Sequence, residues 1–112
     1  MKENRDELFL QHILEAATYI ESFTTGKTYD QFVADAMMRS AVVHQLLVMG
    51  EAANKMSEKT KKLHSEIPWR KMIAMRNKLI HDYFDTDPAV VWKTISEDIP
   101  ELKKIISDIG IT

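Results

Sequence analysis

The chain of 112 residues has no cysteine and only three glycines and three prolines. Without cysteine there is no disulfide framework, no thiolate nucleophile and no thiolate metal site. Neither a Gly-rich phosphate loop nor a nucleophile elbow occurs. No apolar run approaches the ~18–20 residues that span a bilayer, and Met1-Lys2-Glu3-Asn4-Arg5-Asp6 is too polar for a signal peptide. A soluble cytoplasmic protein with no membrane partner is the expectation. No His-x3-His or His-Glu-x2-His pattern occurs, and His81 and Asp82 are neighbours rather than ligands one helical turn apart. Neither a metal nor a cofactor is therefore expected. There is no internal repeat, no low-complexity tract and no strand-like alternation, which leaves helix as the prevailing periodicity.

The length suits one helical domain, residues 1–112, able to bury a core without metal or disulfide staples. The net charge of −2 conceals an uneven distribution. Between Lys55 and Lys78, eight lysines and arginines stand against Glu58 and Glu66, so this segment carries +6 and the remainder −8. A local positive field can hold a phosphate backbone even on an acidic protein. The plainer reading is a solvated, lysine-rich loop.

Along the chain, Leu8, Phe9, Leu10, Ile13, Leu14, Ala17 and Ile20 recur at three- and four-residue steps and predict an amphipathic helix from about Asp6 to Phe23. Gly26 is the natural turn residue after it. His12 falls among apolar neighbours and reads as packed or half-exposed. Thr28 and Gln31 have the spacing of a capping box. The helix they open either runs to about Ser57 or breaks near Asp35, with Phe32, Val33, Ala36, Met37, Val43, Leu46, Leu47 and Gly50 as its buried side. Gly50 inside a helix costs about 1 kcal/mol relative to Ala. A close helix–helix approach, within the chain or across a subunit interface, would account for it. Arg39 and His44 read as salt-bridged or solvated. Glu58 to Glu66 is poorly periodic and predicts a loop or short irregular helix, with His64 exposed. Pro68 opens the next helix, Trp69 packs its start into the core, and the apolar pattern continues to Phe84. Asp87-Pro88 is an N-cap and first helical residue, and Pro100 should bend or interrupt the last helix. The fold expected is all-α, an antiparallel bundle of four to five helices.

The helix before Phe84 carries Arg76-Asn77-Lys78-Leu79-Ile80-His81-Asp82-Tyr83. A permanent cation, a side chain that titrates near neutrality and a phenol suit phosphoryl chemistry. At about 100° per residue, Arg76 and Tyr83 lie nearly over one another, whereas Arg76 and His81 are roughly 140° apart. His81 shares its face with Asn77 instead. Three arrangements bring Arg76 and His81 to one phosphate: a helix distorted near its end, an arginine that reaches round, or a second copy completing the site in a symmetric homodimer.

Arg-x4-His-x-Tyr resembles the signature of the HEPN-domain ribonuclease toxins, the HepT-like half of HEPN/MNT toxin–antitoxin pairs. Ile67-Pro68-Trp69-Arg70, Gly50-Glu51-Ala52, Phe32 with Asp35, and Val91-Trp92 also resemble that family, so the likeness covers nearly the whole chain. It implies a HEPN-like helical fold, a homodimer with a composite site at its two-fold axis, and RNA as substrate. It implies Arg76 and His81 as the catalytic pair, Asn77 as a site-ordering residue, and Tyr83 as the tyrosine that a cognate MNT-type nucleotidyltransferase antitoxin modifies with AMP. Asp35 and Glu51 match acidic positions that hold helices or orient Arg76, and Lys78 is a further supporting candidate. No role for Arg39 carries over. The function expected is a metal-independent endoribonuclease toxin acting by 2′-hydroxyl attack. The alternative is a non-catalytic helical subunit that binds a nucleotide or a nucleotidyltransferase partner. A purely structural bundle is the third reading.

Overall fold

The computed structural model describes residues 2–110. Met1, Ile111 and Thr112, included in the expected domain of 1–112, lie outside the described residues. The chain forms α1 (Lys2–Thr24), α2 (Tyr29–Ala34), α3 (Ala36–Lys55), α4 (Glu58–Leu63), α5 (Trp69–Asp82) and α6 (Pro88–Lys93). A π-helical turn (Thr94–Asp98) then leads into α7 (Ile99–Ile109). Among the described residues there is no strand, and no helix is long and apolar enough to cross a membrane. The fold is the all-α bundle expected. Four long rods (α1, α3, α5 and the α6–α7 unit) are joined by two short helices.

The first turn signals act as their chemistry dictates. Gly26 adopts a positive φ of 76° after α1. Thr28 and Gln31 cap α2 reciprocally: the Gln31 N–H donates to Thr28 Oγ1, and the Thr28 N–H donates to Gln31 Oε1 at 2.8 Å. The break at Asp35 is real. Asp35 ends α2 and caps α3, its carboxylate accepting the Met38 N–H at 2.9 Å. That break resets the helical phase. Met38 is buried, while Val33, Ala36 and Met37, expected inside, are exposed.

The core is built on α3, which packs against α1 on one side and α5 on the other. Ile13, Ala16, Ala17 and Ile20 of α1 meet Val42, Leu46, Met49 and Ala53 of α3, and Met72 and Leu79 come from α5. Ile99, Leu102 and Ile106 of α7 close the cluster. Burial of these side chains outside water supplies the main stabilisation. Leu8, Ile80 and Phe84 fall outside it although the periodicity placed them within.

Two junctions depart from the sequence reading. Pro68 stands one position before the helix rather than in it, as the N-cap of α5; Trp69 is buried and its indole N–H donates to the His64 carbonyl. His64 caps the end of α4 and is half-buried rather than exposed, 3.7 Å from Glu66. Pro100 lacks the N–H that would bond one turn back. The helix accommodates it by widening just before, where the Ile99 N–H reaches the Thr94 carbonyl five residues away. The rod is interrupted in its hydrogen bonding yet continues in direction with Ile95 and Ile99 both buried.

One buried polar cluster ties the start of α1 to the α3–α4 junction. The Asp6 carboxylate accepts from the Ser57 N–H at 3.1 Å and from the Ser57 and Thr60 hydroxyls. Burial pushes this carboxyl's pKa upward, but those hydrogen bonds and the nearby Arg5 cation outweigh it and hold the group below its ordinary value.

Candidate active site

The sequence motif occupies the second half of α5 and the residues after it. Its position is set by Gly50, where α3 approaches α5 so closely that a Cβ there would lie 2.2 Å from the Cβ of Arg76 and 2.7 Å from the Met72 carbonyl oxygen. The tight approach foreseen for Gly50 is therefore within the chain, directly against the candidate catalytic arginine. It also brings the next residue of α3 into reach. Glu51 Oε2 is 2.8 Å from Arg76 Nη2, and its other oxygen lies 3.4 Å from Lys55 Nζ.

Arg76 Nη1 donates to Asn77 Oδ1 at 2.8 Å. The guanidinium is thus held in two places, by a carboxylate from α3 and by the amide of its own neighbour. Both ends of the Arg76–Glu51 pair are partly open to solvent, so the pair contributes at most about 1 kcal/mol to stability. Its larger consequence is orientation: two contacts, one from α3 and one from the neighbouring residue, hold the planar fork in place.

His81 is exposed in the last turn of α5, with no hydrogen-bond or ion-pair partner among the described residues. The helix stays α-helical through Asp82, so distortion does not swing His81 toward Arg76. Arg76 does bond Asn77, the residue on the His81 face, but its other terminal nitrogen stays on Glu51 of α3. Tyr83 follows as the C-cap of α5. It is exposed, and its ring stands edge-on to Phe84 at 5.2 Å.

The remaining candidates sit apart from this group. Asp35 is used as the α3 cap, and no ion pair joins it to Arg76. Lys78 lies on the opposite flank of α5, along a groove shared with Met75, Val90 and Lys93. The +6 segment is softer in space than in sequence. Lys55 and Arg76 pair with Glu51, Lys61 with Glu58 at 3.7 Å, and Lys71 with Asp98 at 3.7 Å. Among the described residues, Lys62, Arg70 and Lys78 are left without an ion pair. His44 is solvated as expected, and His12 is half-buried beside Phe9.

Two residues near the site were given no role from the sequence. Arg39 is bonded through Nη1 to the Val33 carbonyl and lines a cavity with Tyr83. Phe84 is 97% exposed instead of buried. The available signal for Phe84 was the Asp85-Thr86-Asp87 run that follows it directly.

The family model described as "Ribonuclease HepT-like" matches residues 13–109. A protein of Thermococcus cleftensis named "Probable ribonuclease HepT" is 46% identical over 95 residues, which cover 85% of this chain and 86% of that protein. A provisionally named RNase of Caldanaerobacter subterraneus subsp. tengcongensis is 35% identical over 90% of each chain. Another, from Methanocaldococcus jannaschii, is 40% identical over 90% of this chain and 87% of its own. No solved structure matches the chain. The motif on α5, the helical bundle that presents it and the near full-length match agree: the chain belongs to the HepT-like ribonuclease family.

Proposed function

We propose that the protein is a metal-independent endoribonuclease, the toxin of a toxin–antitoxin pair, with Arg76 and His81 as its catalytic residues. The observation that carries this reading is the Arg76 guanidinium fixed by Glu51 and Asn77 with donors free, one helical stretch before an unpartnered His81. His81 accepts the proton of a ribose 2′-hydroxyl as its oxygen bonds to the adjacent phosphorus. Arg76 stabilises the charge on the phosphorane oxygens. The bond to the 5′-oxygen then breaks and that oxygen takes up a proton, leaving a 2′,3′-cyclic phosphate and a 5′-hydroxyl. DNA has no 2′-hydroxyl and resists.

Arg76 and His81 project from different faces of a regular helix, which favours a homodimer in which two copies of α5 flank one cleft. Ile80, one turn beyond Arg76 and about half exposed, offers apolar surface for that contact. The exposed phenol of Tyr83 is accessible to a cognate nucleotidyltransferase of the MNT type. Transfer of AMP to its oxygen would add bulk and negative charge beside the RNA path and switch the site off. The setting for such a pair is the cytoplasm.

The test is cleavage of mixed RNA in excess EDTA by the wild-type protein and by His81→Ala. Fragments ending in 2′,3′-cyclic phosphate from the wild type alone are expected. Equal cleavage by both proteins would overturn the assignment. Retained RNA binding with no cleavage by either would instead favour the non-catalytic binding subunit. Mass spectrometry after incubation with the antitoxin and ATP should find one AMP on Tyr83, and none on Tyr83→Phe.

A further inference from the structure

A cavity of about 250 Å³ opens between α3, the end of α5 and the start of α6, immediately beyond the candidate catalytic helix. Its floor is apolar, formed by Phe32, Leu79 and Val91. Its mouth carries one cation, Arg39, two hydroxyl-bearing side chains, Tyr83 and Thr86, and the exposed ring of Phe84. Tyr83 in its lining is the C-cap of α5 and follows His81 by two residues in the chain. Phe84 is 97% exposed and touches the Tyr83 ring edge-on, and the two rings form one wall of a cavity just past the helix that carries His81.

We propose that this cavity is a nucleobase subsite: it takes one unpaired base of the RNA next to the cleaved phosphate, with Phe84 and Tyr83 as stacking surfaces and Arg39 holding the adjoining backbone phosphate. The assignment rests on the ribonuclease reading of Arg76 and His81. The volume lies just under the 300–1,000 Å³ of typical ligand sites, which suits a single base rather than a larger ligand. Unpaired bases splayed onto aromatic rings are the usual currency of sequence-tolerant RNA binding. One Nη of Arg39 is anchored on the Val33 carbonyl, which aims the rest of the guanidinium without neutralising it. The surroundings set a polarity. Asp82, Asp85 and Asp87 repel phosphate at the α5–α6 turn, which leaves Arg39 as the cation in the lining able to hold the backbone while the base enters. A base locked in a duplex cannot reach the cavity, so the substrate class is RNA with an unpaired nucleotide at the cleavage position.

The test uses the full chain carrying His81→Ala, so that RNA is bound but not consumed. The probe is a short single-stranded RNA with 2-aminopurine, whose fluorescence falls on stacking, placed at each position in turn. Strong quenching at one position next to the scissile phosphate is expected. Phe84→Leu should abolish it and weaken binding about tenfold, whereas Phe84→Trp should retain both. Arg39→Gln should weaken binding and make its dependence on salt shallower by about 0.7 in log–log slope, the share of one phosphate on a single strand. Quenching and affinity unchanged by Phe84→Leu and Arg39→Gln would overturn the subsite. So would loss of self-association in Phe84→Leu with RNA binding intact, since that result assigns the ring to a second copy of the chain. The two readings fail separately: wild type that quenches 2-aminopurine RNA but never cleaves it removes the ribonuclease and keeps the subsite, while cleavage indifferent to Phe84 does the reverse.

Discussion

The contact between Gly50 and Arg76 gives the sharpest prediction. In an unencumbered helix, Gly→Ala stabilises by roughly 1 kcal/mol. Here the new methyl would meet the Arg76 Cβ at 2.2 Å and the Met72 carbonyl oxygen at 2.7 Å, against the 3.4 Å or more of ordinary contact. Neither atom is the far end of a flexible side chain, so no rotamer change relieves the clash and α5 must move off α3 by about 1 Å. Overpacking of this kind costs about 1–3 kcal/mol, and two near-backbone contacts put it at the upper end. With the propensity gain subtracted, Gly50→Ala should lose about 2 kcal/mol and, for a domain of this size, lower Tm by roughly 8 °C. The same movement carries Arg76 away from its working position, and a misplacement near 1 Å can cost about a hundredfold in rate. Thermal unfolding by circular dichroism and RNA cleavage at 25 °C measure the two effects. Gly26→Ala is the control. Its φ of 76° makes alanine unfavourable by about 1 kcal/mol, but with nothing within 4 Å of the added methyl, cleavage should be untouched. A Gly50→Ala protein as stable as the wild type and fully active would refute the argument.

Other expectations follow from the same contacts. Arg76→Lys keeps the charge but cannot bond Glu51 and Asn77 at once; cleavage should fall at least tenfold while Tm moves by no more than a few degrees, separating geometry from stability. Asp6→Asn leaves the Ser57 and Thr60 donors with a poorer acceptor and should destabilise by about 1–3 kcal/mol in urea titrations. Because the folded-state pKa of Asp6 lies below its unfolded value of 3.8, its stabilisation is complete above that value and is lost as pH falls through the folded one. Acid unfolding of Asp6→Asn should accordingly be flatter across that window, and a midpoint series from pH 5 to pH 2 would contradict this if the two proteins ran parallel. Asp35→Ala removes the α3 cap and should cost about 0.5–2 kcal/mol, read as a shift in the denaturation midpoint.

Much of this architecture was legible in the sequence because its signals are local. The Thr28–Gln31 box, the Asp87-Pro88 start and the Asp35 break each depend on side chains reaching backbone groups a few residues away. The motif on α5 was legible as a set of residue types, and the arithmetic of a straight helix foretold that Arg76 and His81 would diverge. What escaped depends on contacts across the fold. Whether Gly50 met its own chain or another could not be read without knowing which helix lay against α3. The exposure of Ala36 and Met37 follows from a change of phase at Asp35 that a single periodic reading carries straight through. Phe84 looked like the last apolar position of α5, yet the helix ends at Asp82, and beyond that point helical spacing no longer predicts which way a side chain faces. Asp6 binds partners more than fifty positions away, and no local pattern announces it.

The carboxylate of Glu51 has one more consequence. At rest Arg76 already holds an anion, so under the proposed mechanism a phosphate that engages it displaces a rival rather than water. A small anion such as inorganic phosphate or a mononucleotide brings little beyond the charge it must replace, and exchange for it is close to even. A polynucleotide adds contacts elsewhere along its length and wins the arginine on their account. The displaced carboxylate is not stranded either, since Lys55 stands 3.4 Å from its other oxygen. Under that mechanism the pairing would act as a threshold, turning away abundant cellular phosphates and yielding the guanidinium only to a ligand anchored at several points.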